Sequence, residues 1–337
     1  MASHRDPRAV YRDLVTHWTG ERHRLNLKKN RIGWGRLASV VLALTGLFTL
    51  WSPGWYLAIG AFTLGMAAFL RLVARDVKVS ADLHQAELML AINQEELRIL
   101  DHQFADREDG SRWMETDHPY AADLDILGRS SLYQVLNRTT SEQGGAQLAR
   151  WLLHPADGRE ILHRQEAIGE LSPLTEWRQK FQAAGMSVRM TTGTQQRLEH
   201  WIQQEDPFTR RPAWHWIRWV EPAVMGLLVA GYLASVIPGP LFWGLAFLFF
   251  LLTGSFSRRI TTLYTQLGRV APELATLSRS AHLMETPGFR SPMLRDLQQP
   301  FMVSGQRASV AIGELKSILD RFDLRQNPAV FFILNTL

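Results

Sequence analysis

Few side chains in this sequence are spaced for chemistry. The hydroxyl run Thr139, Thr140 and Ser141, followed by Gly144, suits the hydrogen bonding of a helix start better than nucleophilic attack. His154 and His163 read as surface or packing residues rather than ligands. Gly313-Glu314-Leu315-Lys316-Ser317 ends like a phosphate loop, but it lacks the loop's glycine spacing and its preceding strand. The chain has no cysteine, which excludes disulfides, thiolate zinc sites and thiol catalysis. These residues predict no catalytic group, no metal ligand and no cofactor site in this chain, hence a protein that is not an enzyme by itself.

The elements around these residues are written more plainly. The 337 residues suffice for two or three modest domains, and the 46% apolar content is gathered into two blocks. The first joins Leu37–Leu50 to Trp55–Leu70 through Trp51-Ser52-Pro53-Gly54. The second joins Pro222–Ile237 to Leu241–Thr253 through Pro238-Gly239-Pro240. Neither block carries an ionisable residue between its flanks, so each predicts a transmembrane helical hairpin. Each half is shorter than the roughly 20 residues of a perpendicular span, and flanking Trp, Gly and snorkelling Arg must complete it. Ala230 and Ala234 offer a small-residue helix contact. Arg22, Arg24, Lys28, Lys29, Arg31 and Arg36 precede the first block, and Arg71, Arg75 and Lys78 follow it. Arg210, Arg211 and Arg218 precede the second, and Arg258 and Arg259 follow it. Positive charge marks the cytoplasmic side, so the expectation is a multi-pass protein of the inner cell membrane with both termini cytoplasmic. Without ionisable groups at membrane depth, the spans read as anchors rather than as a transport path.

Between and after the blocks the pattern is helical. Val79–Phe104 repeats Leu83, Leu90, Leu97 and Phe104 every seven residues, with Ala86, Asn93 and Leu100 on the alternate seam. Residues 106–120 read as a loop. After the second block, Ile260, Leu263, Leu267, Val270, Leu274, Leu277, Ala281 and Met284 form one stripe, with a kink expected at Pro272 and an end at Pro287-Gly288. This stripe predicts a stalk packed on Val79–Phe104 or a homodimeric coiled coil. A last helix, Ala308–Phe322, presents Ile312, Leu315, Leu319 and Phe322. The closing apolar run Val330–Leu337 has no terminator, which predicts a truncated chain.

The stretch 123–185 carries the most specific order of residues. Ser130-Ser131-Leu132 opens a short helix ending near Asn137, and Thr139–Gly144 is a capped turn. Gly145–Leu153 is a helix with Leu148, Trp151 and Leu152 on its apolar face, stopped by Pro155. Gly158 starts another helix, with Ile161, Ile168 and Leu171 inward. The succession Ser131, Leu132, Leu136, Asn137, Thr139, Gly144, Leu148, Trp151, Leu152, Pro155, then Ile161, Arg164, Gln165 and Ile168, resembles the core domain of the MutS mismatch-repair family. A second likeness lies in Arg325-Gln326-Asn327 and Leu334-Asn335, which look like the end of the core in membrane-anchored MutS-like proteins.

The resemblance implies an all-α fold with paired lever helices, and ATP, Mg and mismatched-DNA binding for a full-length relative. No G-x-x-x-x-G-K-[ST] occurs in these residues, and no Phe-x-Glu mismatch wedge. Family members insert a DNA clamp between the levers; here the insertion point, about 218–257, holds the second hairpin. The resulting divisions are a basic leader (1–34), a first hairpin (35–75), an amphipathic helix and loop (76–120), a core-like segment (121–216), a second hairpin (217–257) and a returning lever with the end of the core (258–337). The expected function is a membrane-anchored, non-catalytic lever module. Its expected partners are the lipid bilayer, a second copy or an ATPase-bearing protein, and DNA. The alternatives are a membrane scaffold for partner proteins, or DNA binding at the membrane face, for which no recognition helix stands out.

Overall fold

A computed structural model describes residues 6–188, 191, 193, 224–232, 234, 236–245, 247–248, 271–305 and 307–326. All regular structure among them is helical. It falls into two compact units, 1–138 with 145–156 and 174–186, and 139–144 with 157–173 and 187–337.

The first unit is built on two long antiparallel helices, α1 (Pro7–Thr49) and α2 (Trp55–Leu100). Asp6 caps α1 by accepting the Arg8 N–H, and Pro7 stands where its missing donor costs nothing. The divisions expected after residues 34 and 75 therefore fall inside continuous helices. The apolar halves are the distal ends of rods of 43 and 46 residues, about 64 and 69 Å long. Residues at intervals of seven join these rods. On α1 the seam runs Tyr11, Trp18, Leu25, Ile32, Ser39, Gly46, and on α2 Ala58, Gly65, Leu72, Val79, Ala86, Asn93, Leu100, each buried or half-buried. Leu25 packs with Val79, Leu83 and Ala86, and with Trp18 and Ile32 beside them.

α2 stops at Leu100, short of the expected Phe104. His102, at φ 59°, takes the left-handed position. Its N–H donates to Ile99 O (3.0 Å), and the Gln103 N–H donates to Arg98 O (2.8 Å), which satisfies two terminal carbonyls. A histidine rather than a glycine occupies the position, so the stop carries no ordinary sequence signal. Arg8 of α1 bonds Leu100 O (3.1 Å) and pairs with Asp101, which fixes the far ends of the rods together.

Short helices α3 (Leu132–Leu136), α4 (Glu142–Leu153) and α6 (Thr175–Met186) complete this unit, α4 starting three residues before the expected Gly145. Their core is Ala121, Ile126, Leu127, Tyr133, Ala149 and Leu153, with Trp113, Tyr120, Leu148 and Leu152 against it. Gly110, at φ 72°, passes under this core, where an added Cβ would meet Leu127 and Tyr133 at 3.1 Å.

The second unit contains α5 (Gly158–Leu171), α7 (Ala271–Glu285), α8 (Pro292–Gln298) and α9 (Ala308–Gln326). One capping device is used twice. Glu170, in the last turn of α5, accepts the Arg290 and Ser291 N–H groups (2.7 and 2.8 Å) at the start of α8. Glu285, at the end of α7, accepts the Ser309 N–H (2.8 Å) at the start of α9. α7 ends just before Pro287, as its sequence requires, and packs Leu274, Ser278 and Ala281 toward α9. Leu277 and Met284 are half-buried, while Ile260, Leu263, Leu267 and Val270 lie outside the described residues. On α5, Ile161 and Ile168 of the expected inward face are exposed, Leu171 is half-buried, and Ala167 is the buried residue.

The described part of the second apolar block is helical over 224–232 and again from 239. The first helix closes earlier than expected, with the Val236 and Ile237 N–H groups donating to Gly231 O. Tyr232 and Phe242 stack across the turn at 4.6 Å. The close contact is Gly231 against Ile237, not the Ala230 and Ala234 pair, both of which are exposed.

Candidate functional site

α1 and α2 are the two described helices long and apolar enough to cross a membrane. Their distal ends meet through small residues. A Cβ on Gly65 would lie 2.5 Å from Ala43 Cβ, and one on Gly46 would lie 3.1 Å from Ala61 Cβ. Ala43 and Ala58 are 2% and 0% exposed, whereas Leu42, Phe48 and Leu64 point away at 69%, 86% and 74%. Packing that puts alanine and glycine inside and leucine and phenylalanine outside gains little in water. It suits lipid, where close backbone approach drives association. Three hydroxyls at this end are satisfied within their own helices: Ser39 donates to Arg36 O, Thr49 to Thr45 O and Thr63 to Ile59 O, at 2.8–2.9 Å. At the base, Arg36 pairs with Asp76 at 2.8 Å and lies over the Phe69 ring.

At the opposite end of α2 a charged junction holds the segment that carries the sequence motif. Both Glu96 carboxylate oxygens accept from one edge of the Arg138 guanidinium, Nε and Nη2, at 2.6 and 2.9 Å, and Glu95 takes Arg107 at 2.9 Å. The same arginines donate onward to the motif backbone: Arg138 to Val135 O (2.6 Å), Arg107 to Gln134 O and Asn137 O. Burial, and then the neighbouring Arg138 charge, hold the Arg107 guanidinium below its ordinary pKa. Gln134 is fully satisfied: its amide donates to Arg107 O (2.6 Å) and its carbonyl accepts the Ser130 N–H (2.6 Å). On the other side of α2, Asn93 and Gln179 of α6 exchange amide hydrogen bonds at 2.8 and 3.3 Å among Met89, Ile92 and Ala183.

The motif residues are placed as follows. Ser131 caps α3 through its Oγ and is buried, as is Asn137. Leu132 and Leu136 face outward, and Tyr133 and Gln134 fill the interior instead. Thr139 is exposed. Gly144 has room only for hydrogen, since a Cβ would meet Ser141 Oγ at 3.0 Å and Thr139 Cβ at 3.2 Å, and its N–H donates to that Oγ. Leu148 and Leu152 pack on the core, but Trp151 is exposed and Gly145, Ala149 and Leu153 make the buried edge of α4. Pro155 and Gln165 are exposed, and Arg164 pairs with Glu160. Arg325 belongs to α9, with its side chain outside the described set, as are Asn327 and Asn335. Gly313–Ser317 lies within regular helix. The residues that tie the motif to α2, namely Glu95, Glu96, Arg107, Gln134 and Arg138, do not stand out in the sequence.

Among the described residues one group has metal-ligand spacing, Glu115, His118 and His154. His118 is committed elsewhere. Its Nδ1 accepts the Ala121 N–H at 3.1 Å, so Nε2 carries the proton and donates to Leu153 O at 2.9 Å. That leaves Glu115 and His154, an exposed pair 3.2 Å apart. Comparison with protein-family models, with curated proteins and with solved structures finds no match to this chain.

Proposed function

We propose that this chain is a membrane-anchored lever module of MutS-like type: a lipid-embedded hairpin whose second helix carries a core-like helical segment on the cytoplasmic side. The observation that carries this reading is that α2 runs unbroken from the uncharged hairpin turn to Glu95 and Glu96, where Arg107 and Arg138 hold the backbone of the motif. A helix clamped at both ends transmits tilt and rotation, and the clamp grips main-chain carbonyls rather than mobile side chains. ATP hydrolysis and DNA binding, which the family likeness implies, would be supplied by an ATPase-bearing partner or by sequence beyond these residues. The positive flanks support an inner-membrane location with cytoplasmic termini.

A second reading, a scaffold that binds partner proteins, draws support from the exposed Ile161, Leu162 and Ile168 on α5.

The absence of native thiols makes the lever testable with single cysteines. S52C in the turn should react with a membrane-impermeant maleimide from the outer face, and D123C only after permeabilisation. With spin labels at S52C and R129C in nanodiscs, the distance distribution should be narrow, and E95A/E96A should broaden it. A broad distribution in the otherwise unsubstituted chain overturns the lever.

A further inference from the structure

The charges of the α1/α2 rod are sorted along its length. Residues 37–70 contain no Asp, Glu, Lys, Arg or His. In the next stretch down the rod, residues 26–36 of α1 and 71–81 of α2, seven Lys and Arg stand against one Asp. In the remainder, residues 7–25 and 82–101, five Lys and Arg meet seven Asp and Glu. The two stretches of the belt lie side by side, because Arg36 bonds Asp76 and a Cβ on Gly35 would touch Leu72 at 3.4 Å. Arg36 is therefore neutralised within the rod. Lys28, Lys29, Arg31, Arg71, Arg75 and Lys78 have no carboxylate partner among the described residues, and all but the half-buried Lys29 are exposed. Arg71, Arg75 and Lys78 share one face of α2 at i, i+4, i+7.

From this we infer that the belt is a binding surface for anionic phospholipid headgroups. The inference rests on the membrane reading above and specifies which lipid the anchor selects. Three points converge on headgroups rather than nucleic acid. The belt adjoins the lipid-facing surface of the same two helices, so its depth is the headgroup zone. Its cations come from both helices of a narrow two-helix rod, three from α1 and three from α2. Long Lys and Arg stems lie along apolar surface while their charged ends reach the phosphates. The single internal clamp, Arg36 with Asp76, keeps the rod closed without drawing on the six free charges.

The test uses the full chain reconstituted in vesicles of phosphatidylcholine and phosphatidylglycerol in equal amounts. The lipid retained after detergent extraction is then counted by mass spectrometry. The expected result is an enrichment of phosphatidylglycerol of about fivefold or more, lost in high salt, where charges are screened within a few ångströms. K28Q/K29Q/R31Q/R71Q/R75Q/K78Q should bring the ratio near one, R71Q/R75Q/K78Q should give an intermediate value, and R12Q/R22Q should leave it unchanged. An even ratio in the unsubstituted chain, or an unchanged ratio in the six-residue variant, overturns the proposal while the hairpin remains resistant to carbonate extraction. Displacement of the bound lipid by duplex DNA at equal phosphate would reassign the belt to nucleic acid. Release of the unsubstituted chain by carbonate would instead bring down the membrane reading itself.

Discussion

The two ends of the α1/α2 rod share one seam and opposite packing rules. Away from the turn the heptad positions are Trp18, Leu25, Ile32, Val79 and Asn93, with charged residues outside. Toward the turn they become Ser39, Gly46, Ala58 and Gly65, with Leu42, Phe48 and Leu64 outside. Spacing is preserved while size is inverted. In water, the free energy comes from hiding large apolar side chains, so they go between the helices. In lipid, hiding them gains nothing, and contact between backbones takes over. One pair of helices thus carries two packing rules, and the small-residue seam of the distal half supports the proposed anchor beyond its apolar composition.

The sharpest way to break that contrast is a lysine on each exterior. L64K should oppose insertion by about 2.5–3.5 kcal/mol, read as loss of the membrane-integrated fraction, whereas V77K, equally exposed further down, should stay within about 0.5 kcal/mol. If L64K is tolerated, the distal end does not face lipid. The next largest effect is expected inside the seam. G65V forces its side chain into Ala43 and should cost about 1–3 kcal/mol, measured as slower disulfide formation in a G46C/A61C pair. At the water end, N93L leaves Gln179 unpaired and should cost about 1–3 kcal/mol in thermal unfolding, with N93L/Q179L recovering part of the loss. The smallest effect should come from pH. Two backbone N–H groups hold the Glu170 carboxylate below its ordinary pKa. Its contribution is therefore present at neutral pH, above the unfolded value, and is lost as pH falls through the depressed folded value. The protection of the Arg290 and Ser291 amides, relative to their intrinsic exchange at each pH, should fall over that acid range, and E170Q should remove that fall.

Much of this was readable from residue types. The uncharged block between Arg36 and Arg71 announced a hairpin, and Leu83, Ala86, Leu90 and Asn93 announced the helix after it. Asp6-Pro7 and the recurrence of Tyr11, Trp18, Leu25 and Ile32 every seven residues also mark α1, yet the surrounding Arg and Lys read more readily as a separate basic leader. Other features depend on contacts distant in sequence. Leu132 and Leu136 look like core residues until Arg107 and Arg138 anchor the intervening turn to Glu95 and Glu96 and rotate Tyr133 inward. His102 ends α2 without glycine because its flanking carbonyls supply the stop. Ile161 and Ile168 have the period of a buried face, yet Ala167 is the residue that α5 buries.

Between Gly65 and Leu100, α2 contains neither glycine nor proline, over about 53 Å of helix. A rod without a joint is a pointer. Tilting its embedded end by ten degrees swings Leu100 sideways by about 9 Å, a shift larger than the spacing between neighbouring strands or side chains. If the proposed anchor lies in a bilayer, a hairpin that leans to match its thickness would let a thinner or thicker patch of membrane set the lateral position of the chain just beyond Leu100.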